Sequence, residues 1–340
     1  MPLSDLDIPL ESKLAFLRQA SSYPQAAYRV EMIETHMSWV FLTERFAYKL
    51  KKPIRYGLID FSTIDARRFY CEEEVRLNRR LAASVYLEAV PLVIDVGGHL
   101  QLQGDGMAVD WLVKMRRLPD RHMFDYVIKN GTATEQDARH IAALLSRFYR
   151  SLPPVVIDPS AYRDRFQSDI EDNHRELCAP LYQLPLDQVQ AITRAQRTAL
   201  QRLSPLLDER IRAGKVIEGH GDLRPEHVCL RPELVIIDCL EFSRTLRIID
   251  AADEVAFLAL ECERLGVPRI AAALLRAYAE LSSDAPPAAL LHFYQSQRAC
   301  VRAKLAIWHM NEEKFRYSGE WPRRARQYLV LAQQHQVLCA

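Results

Sequence analysis

β-forming residues are concentrated in the first third of this 340-residue chain, whereas amphipathic helical patterns fill most of the rest. Strand-like segments occur at 35–50, 90–102 and 109–115, and one long helix is predicted from Ser62 to about Leu81. Strands that are grouped together, rather than alternating with helices, predict an α+β fold and exclude a doubly wound parallel sheet.

Helical patterns follow Pro119, and one β-rich segment at 215–242 interrupts them. Two helical starts have the spacing of a capping box, one at Ser62 and Asp65 and one at Thr132 and Glu135. Besides the long helix that begins at Ser62, a short helix is predicted near the start of the chain, at 9–20. Further helices are predicted at 120–131, 132–149, 160–178, 187–213, 250–282, 287–310 and 321–337.

The composition is that of an ordinary globular protein, because 49% of the residues are hydrophobic and 26% are charged. The net charge of +1 predicts no general attraction to nucleic acid or to an anionic membrane. No apolar run is long enough to cross a bilayer, and the first residues have no signal-peptide pattern. Seven scattered cysteines without a C-x-x-C pair favour a reducing compartment, so we expect a cytoplasmic protein.

The segment 218–242 carries the strongest chemical pattern. Val228–Leu230 and Leu234–Ile237 are predicted to form a short hairpin, which would bring Asp222, before its first strand, near Asp238, at the end of its second. Two adjacent carboxylates repel each other unless a cation or a proton intervenes. One carboxylate that orients a hydroxyl and one that holds Mg²⁺ are what phosphoryl transfer needs.

The sequence His220-Gly221-Asp222-Leu223 resembles the H-G-D-L catalytic loop of aminoglycoside and choline kinases, the counterpart of H-R-D in protein kinases. Segments 35–40, 48–53 and 60–63 are similar to the phosphotransferase half of a bacterial group usually fused to a P-loop kinase. The resemblance covers roughly residues 28–335. No G-x-x-x-x-G-K-[ST] sequence occurs, so we expect this chain to lack the second half.

The resemblance implies a protein-kinase-like, two-lobed α+β fold. Residues 1–116 would form a small lobe with an antiparallel sheet and one helix equivalent to the αC helix of kinases. Residues 117–340 would form a larger helical lobe that carries the catalytic loop. The implied activity is the ATP- and Mg²⁺-dependent transfer of a phosphoryl group to a hydroxyl or amine of a small molecule. That acceptor is the expected partner, with no nucleic acid and no membrane.

The resemblance also implies roles for individual residues. Asp222 would be the catalytic aspartate that orients the acceptor hydroxyl, and Asp238 would hold the metal ion. Lys49 matches the lysine that contacts the ATP phosphates, and Lys51 and Lys52 are nearby alternatives. Lys51 shares a strand face with Lys49, whereas Lys52 lies nearer the following turn.

The helix that begins near Ser62 is expected to supply a glutamate to Lys49. Its acidic run is 72–74, and Phe69, Leu77 and Leu81 predict its inward face. We expect Glu74 to be the partner of Lys49, with Glu73 as the alternative.

Four further residues are expected at the nucleotide. Lys114 and Met115 resemble the hinge that contacts adenine through backbone groups. The family's loop usually has Asn five residues after the catalytic Asp, where this chain has His227 as the expected second metal ligand. Imidazole suits a hard cation less well than an amide oxygen. Residues 35–45 contain no glycine, so any loop that covers the phosphates would use Ser38.

Two other functions remain as alternatives. The His227 departure and the missing glycine-rich loop fit a nucleotide-binding pseudokinase or regulatory module with little turnover. A transition-metal site is the other alternative, because several potential ligands lie close in sequence: His220, Asp222, His227, Cys229 and Cys239.

Two groups of charged residues on predicted helices have structural interpretations by default. Asp253 is expected to cap a helix, and the resemblance implies that Asp250 also braces the catalytic loop. Arg298, Arg302 and Lys304 share a helix, where a solvated or interlobe face is the default and binding of an anionic substrate is the alternative.

Overall fold

The computed structural model describes residues 8–25, 27–57, 59–311 and 318–338. These residues form two compact units. The first unit consists of the chain up to Met123 together with His227–Leu246, and the second consists of Phe124–Glu226 together with the chain from Arg247 onward.

The strands, in chain order, are β1 (Glu31–Glu34), β2 (Ser38–Leu42), β3 (Phe46–Lys51), β4 (Arg55–Tyr56), β5 (Ile59–Asp60), β6 (Tyr86–Ile94), β7 (Leu100–Leu102), β8 (Met107–Arg116), β9 (Val216–Glu218), β10 (Val228–Cys229), β11 (Val235–Ile236) and β12 (Ile248–Asp250). The helices are α1 (Leu10–Leu17), α2 (Ile64–Ala82), α3 (Phe124–Lys129), α4 (Glu135–Ser151), α5 (Pro159–Leu177), α6 (Leu186–Arg212), α7 (Arg244–Arg247), α8 (Ala251–Arg264), α9 (Pro268–Ser282), α10 (Ala288–Trp308) and α11 (Glu320–Leu338).

The first unit is built on a six-stranded antiparallel sheet with the order β1-β2-β3-β8-β6-β7. The predicted hairpin between 35–43 and 46–50 is present as β2 and β3. However, residues 35–37 form the turn that enters β2 from β1, a strand that the sequence pattern does not predict. β1 has the sequence Glu-Met-Ile-Glu and is largely exposed, so it lacks the apolar alternation of a half-buried strand.

Alternation along β3 divides its side chains between two hydrophobic clusters. Tyr48 and Leu50 pack in one cluster, whereas Ala47 packs in the other, together with Cys71 and Val75 of α2. Lys49 and Lys51 follow Ala47 in the alternation, so they project on the side of the sheet that α2 covers.

The start of α2 differs by one residue from the prediction. Thr63, rather than Ser62, is the N-cap, and its hydroxyl accepts from the Ala66 N–H at 3.1 Å. Ser62 donates its hydroxyl to Asp60 instead. The predicted inward residue Phe69 is 56% exposed, so the buried face of α2 is carried by residues such as Leu77.

Where it is described, the second unit consists of helices, their connections and the two-stranded pair β9–β12. The predicted helical stretch 250–282 is two helices, because α8 ends at Arg264 and α9 begins at Pro268. The capping box of α4 is formed by Thr134 and Asp137, rather than by Thr132 and Glu135. No helix within the described residues is both long and apolar enough to cross a bilayer.

Candidate active site

Glu74 on α2 is the meeting point of two lysines from β3. Its Oε1 lies 2.9 Å from Lys49 Nζ, and its Oε2 lies 2.5 Å from Lys51 Nζ. The other two glutamates of the acidic run point elsewhere, since Glu72 and Glu73 form ion pairs with arginines of their own helix. Of the three glutamates in the acidic run, Glu74 is therefore the one that contacts Lys49, and it also contacts Lys51.

Glu241 is a second carboxylate of this cluster, and no sequence pattern singles it out. It accepts from Lys51, whose side chain has no exposed surface, and its own side chain is only 8% exposed. Glu241 lies three residues after Asp238, in the segment that follows β11. This ion pair therefore joins β3 to the segment that carries the predicted metal ligand.

The charges in this cluster shift one another's pKa values. Burial disfavours the ammonium of Lys49, but the surrounding carboxylates, Asp238 foremost, outweigh it and hold the pKa of Lys49 well above its usual range. Burial also opposes the charge on Glu74, yet Lys49 and Lys51 outweigh it and lower the pKa of Glu74. For Glu241 burial prevails over the attraction of Lys51, so its pKa is raised.

Asp238 follows the β10–β11 hairpin and has a left-handed backbone conformation, with φ of 63°. Its N–H donates to the hydroxyl of Tyr86 at 3.1 Å, and its Oδ1 lies 2.7 Å from Lys49 Nζ. His227 Nε2 lies 3.5 Å from the other carboxylate oxygen. Unlike Glu74, the Asp238 side chain is 44% exposed. It is thus a positioned carboxylate that solvent or a ligand can reach.

Asn78 connects α2 to the same segment. Its Oδ1 accepts from the Cys239 N–H at 2.9 Å, and its Nδ2 donates to the Glu74 carbonyl at 2.9 Å. The sequence contains one signal for this role, because Asn78 lies one helical turn after Glu74 and is therefore on the same face of α2.

Ser38, the residue expected to cover the phosphates, is the first residue of β2 and is 1% exposed. Its N–H donates to Thr35 Oγ1 at 3.0 Å, and its carbonyl accepts from the Thr35 N–H at 2.8 Å. The structure therefore places Ser38 at the base of the turn between β1 and β2.

Lys114 and Met115, the residues expected at the adenine hinge, lie inside β8. Both are paired on two sides, with β3 and with β6. Lys114 Nζ donates to Glu88 at 2.9 Å, across the β6 pairing. Their backbone is therefore part of the sheet, and the strand continues to Arg116.

In the second unit, the loop that carries Asp222 is held by a buried carboxylate, Glu254. Its Oε1 accepts the N–H groups of His220 and Gly221, at 2.7 and 2.6 Å. Its Oε2 accepts the hydroxyl of Tyr149 at 2.9 Å. Glu254 was not predicted from the sequence, although it lies one residue beyond Asp253, which was.

The backbone at position 219 passes very close to this brace. A Cβ on Gly219 would lie 2.7 Å from Glu254 Oε2, so only glycine fits without a shift. Burial raises the pKa of Glu254, even though the backbone N–H groups that it accepts favour the charged form. The Gly219-His220-Gly221 turn and Glu254 thus fix the conformation of the loop before Asp222.

The two aspartates at the start of α8 have other contacts than expected. Asp250 is the N-cap, since its Oδ1 accepts from the Ala252 N–H at 2.8 Å, and it also forms a bidentate ion pair with Arg210. Asp253 does not cap the helix but forms a bidentate pair with Arg298, with both distances 2.9 Å. The carboxylate that braces the Asp222 loop is Glu254, not Asp250.

Asp222 itself is half-buried and lies in a polar environment. Its N–H donates to His220 Nδ1 at 3.3 Å, and Arg224 Nε lies 3.0 Å from its Oδ2. Arg224 also donates to Glu226.

Among the described residues, no group of three or more His, Cys, Asp or Glu side chains has the geometry to hold a metal ion. The structure brings four predicted site residues together in the first unit, namely Lys49, Glu74, His227 and Asp238, whereas Asp222 belongs to the second unit.

Comparison with known proteins identifies the family. A family model described as the phosphotransferase enzyme family matches residues 66–291, which is more than half of the chain. An uncharacterized protein of Mycobacterium tuberculosis (strain ATCC 25618 / H37Rv) is 31% identical over 319 residues, covering 90% of this chain and 59% of that protein. The chain thus spans about 59% of the length of the curated relatives it matches.

Solved structures share the fold. A choline/ethanolamine kinase family protein from Mesorhizobium loti has a TM-score of 0.53 at 14% identity, covering 95% of this chain and 99% of that one. Plasmodium vivax ethanolamine kinase has a TM-score of 0.51 at 10% identity, covering 89% and 82% of the two chains. These comparisons confirm the predicted α+β, protein-kinase-like fold. The family match extends from α2 to α10 through both the Asp222 loop and the Asp238 hairpin, and the chain therefore belongs to the phosphotransferase enzyme family.

Proposed function

We propose that this protein transfers the γ-phosphoryl group of ATP to a hydroxyl or amine of a small molecule. The observation that carries the proposal is the position of the Lys49 ammonium, which contacts both a buried glutamate on α2 and the exposed carboxylate of Asp238. A lysine held between a helix glutamate and a loop aspartate is the arrangement that kinases use to bind nucleotide phosphates. The names of the two structural neighbours, both kinases of ethanolamine or choline type, support a small acceptor.

On the nucleotide side, Lys49 would neutralise phosphate charge, and Asp238 would hold the metal ion. The exposed Asp238 carboxylate fits a hard cation such as Mg²⁺, and the His227 imidazole borders the same position. Bound magnesium would neutralise the charge that develops on the phosphates during transfer. Burial of Glu74 and Glu241 around Lys51 would keep β3 and the Asp238 segment in register with each other.

On the acceptor side, Asp222 would orient the acceptor hydroxyl and accept its proton. The hydroxyl oxygen forms a bond to the γ-phosphorus, and the bond from that phosphorus to the β–γ bridging oxygen breaks. ADP leaves with the bond's electrons, and the hydroxyl proton passes to the Asp222 carboxylate and then to solvent.

Because ATP and reduced thiols occur together in the cytoplasm, and the described cysteines are free, we expect the reaction to take place there.

Replacing Asp222 by Asn tests this proposal, because it removes the charge and keeps the shape. We expect ADP release in the presence of an acceptor to fall by about 100-fold or more, while ATP still raises the melting temperature as in the unchanged protein. Asp172→Asn, which alters an exposed ion pair of the same unit, is the matched control. Full turnover in Asp222→Asn would exclude the assigned role.

A nucleotide-binding module without turnover is the second candidate, favoured by His227 in place of the family's usual Asn. A thermal-shift screen of ATP with and without Mg²⁺ or Mn²⁺ separates the two candidates when it is combined with an acceptor panel. Metal-dependent stabilisation that Asp238→Asn abolishes, without ADP release for any acceptor, would favour the module. ADP release that depends on acceptor and on Asp222 would favour the transferase.

A further inference from the structure

Three buried or half-buried arginines of the second unit lie close to one another, and two of them donate directly to a carboxylate at hydrogen-bond distance. Arg298 of α10 donates to both carboxylate oxygens of Asp253 at 2.9 Å. Arg264 of α8 donates to Glu261 Oε2 at 2.7 Å. Such contacts offset the cost of removing a guanidinium from water. They make these two arginines part of the internal structure.

Arg302, one helical turn after Arg298 on α10, lacks such a contact. Among the described residues its nearest carboxylate oxygen, Glu261 Oε1, is 3.7 Å away, and the hydroxyl of Tyr328 is 3.5 Å from its Nε. Its side chain is only 17% exposed. Within the described residues its guanidinium otherwise rests against the Tyr328 ring, 5.9 Å from the centroid.

Glu261 is already occupied by other donors. Its Oε1 accepts the hydroxyl of Tyr328 at 2.7 Å, and its Oε2 accepts from Arg264. Arg302 therefore keeps a positive charge in a largely dry position, with donors at its outer end that the described residues do not fill. Guanidinium donors form a rigid planar fork that matches a carboxylate or a phosphate.

Arg302 lies within the electrostatic reach of Asp222. Burial opposes its charge, but Tyr328, Asp222 and Glu261 together hold the pKa of Arg302 above its usual range. Arg302 in turn acts on Arg224, the arginine that contacts the Asp222 carboxylate. One arginine, Arg224, therefore contacts the aspartate that is proposed to orient the acceptor, and a second, Arg302, acts on it electrostatically.

We propose that Arg302 binds an anionic oxygen group of the acceptor, a carboxylate or a phosphate, and so selects hydroxyl compounds that carry negative charge. This inference rests on the proposed function, because it assigns the acceptor to the surroundings of Asp222. Arg224 offsets the charge of Asp222, so an anionic acceptor meets less repulsion there. In this assignment Arg298 and Arg264 are structural, and Arg302 is the one of these three arginines that contacts the acceptor.

Binding of simple anions tests the inference without any need for turnover. The melting temperature is measured with citrate and with inorganic phosphate at constant ionic strength, for the unchanged protein and for Arg302→Met, Arg302→Lys and Lys304→Met. Lys304→Met is the matched control, because it removes one positive charge from the same helix, where the Lys304 ammonium lies over the Trp308 ring instead. Anion binding elsewhere, for example at Lys49, contributes equally to all four proteins.

We expect at least one of the two anions to raise the melting temperature of the unchanged protein and of Lys304→Met. The rise should be smaller for Arg302→Lys, and the part of it that depends on Arg302 should be absent from Arg302→Met. Citrate and phosphate differ in their oxygen group, so the anion that gives the Arg302-dependent increment identifies the source. Equal shifts in all four proteins, or no shift in any, would overturn the inference. Comparing melting temperatures without anion shows whether Arg302→Met folds.

Turnover gives a second, separable result. ADP release is measured with hydroxy acids and sugar phosphates, with neutral sugars, and with cationic amino alcohols and aminoglycosides. We expect anionic acceptors to be used, with KM raised at least tenfold in Arg302→Met, kcat nearly unchanged, and Lys304→Met unaffected. Use of neutral or cationic acceptors alone would overturn the inference. Absence of turnover with every acceptor would count against the proposed function, while anion binding would still decide the role of Arg302.

Discussion

Glu74 in the first unit and Glu254 in the second are both fully buried carboxylates, but they hold their surroundings in different ways. Glu74 accepts from the ammonium groups of Lys49 and Lys51. Glu254 accepts two backbone N–H groups and one tyrosine hydroxyl, all of them neutral donors. Burial opposes the charge in both cases. The lysines overcome it at Glu74 and lower its pKa, whereas the neutral donors at Glu254 do not, and its pKa is raised.

This difference between Glu74 and Glu254 separates a site whose residues must carry charge from a loop that needs only a fixed backbone. A site that is proposed to bind a triphosphate must hold cations in place, and the burial of those cations requires carboxylates as partners. A loop that presents one aspartate needs a fixed backbone, and hydrogen bonds to buried N–H groups provide that. Removing charge should therefore damage the first unit most, and removing acceptor atoms should damage the second.

The largest effect is expected for Lys51→Met. It removes the Lys51 ammonium from its contact with Glu241 and leaves Glu74 with one lysine instead of two. Breaking a buried ion pair from one side costs about 3–5 kcal/mol. Urea-induced unfolding, followed by circular dichroism, measures this loss. The neighbouring substitution Lys52→Met removes an ion pair to the exposed Glu34 and should cost less than about 1 kcal/mol.

The double variant Lys51→Met/Glu241→Gln checks the cause. Because it also removes the charge of the carboxylate that loses its Lys51 contact, it should recover more than half of the stability that Lys51→Met loses. If the double variant is as unstable as the single one, packing of the lysine stem rather than charge governs this cluster, and the contrast with Glu254 disappears.

Glu254→Ala should have the next largest effect. It leaves the N–H groups of His220 and Gly221 and the hydroxyl of Tyr149 without their acceptor. We expect a loss of about 3 kcal/mol in the free energy of unfolding, together with loss of phosphotransfer because the loop before Asp222 is released. Glu254→Gln keeps an oxygen for the two N–H groups, so its stability should stay within about 1 kcal/mol. A Gln variant as unstable as the Ala variant would show that charge matters here too.

The sequence predicted the parts of the site that depend on local spacing. Lys49 and Lys51 lie on one face because a strand alternates, and Glu74 was chosen because it precedes Leu77 on a helical face. The family resemblance pointed to Asp238 as a distant partner at the same site, but a contact between distant segments that neither a local pattern nor the resemblance marks was missed. Glu241 reaches Lys51 across 190 positions, and no local pattern marks it.

A strand whose own sequence has no clear pattern was also missed, because only its pairing with a distant strand defines it. Strand β12 exists because Ile248–Asp250 pairs with β9, and its last residue also caps α8. Glu254 was overlooked because Asp250 and Asp253 flank the same helix start, and sequence alone does not show which carboxylate meets the loop. Helix and strand types were easier to predict than their ends, as the shift from Ser62 to Thr63 illustrates.

The pH dependence of stability should separate the two carboxyls. The pKa of Glu254 is raised above its usual 4.5, so its neutral form stabilises the fold below that pH, and this contribution is lost as the pH rises through the folded-state pKa. The stability of Glu254→Gln relative to the unchanged protein should therefore increase from pH 4.5 upward, because glutamine does not titrate.

For Glu74 the sign is opposite. Its pKa is lowered, so its contribution is present above the usual 4.5 and is lost as the pH falls through the folded-state value. Urea unfolding at several pH values, with Glu254→Gln and Glu74→Gln each compared with the unchanged protein, measures both trends. Parallel trends in the two variants would refute the distinction between a charge-paired and a hydrogen-bonded carboxylate.

The smallest effects are expected for two tyrosines, one that contacts Glu254 in the second unit and one that contacts Asp238 in the first. Tyr149→Phe removes one of three donors to Glu254 and should cost about 1 kcal/mol. Tyr86→Phe removes the acceptor of the Asp238 N–H and should cost about as much. Their effects on kcat should differ. Tyr149→Phe leaves both backbone contacts of Glu254 intact and should keep most activity, whereas Tyr86→Phe frees the backbone of the proposed metal ligand and should lower kcat further. A Tyr149→Phe variant as impaired as Glu254→Ala would mean that the hydroxyl, and not the two N–H groups, positions the brace.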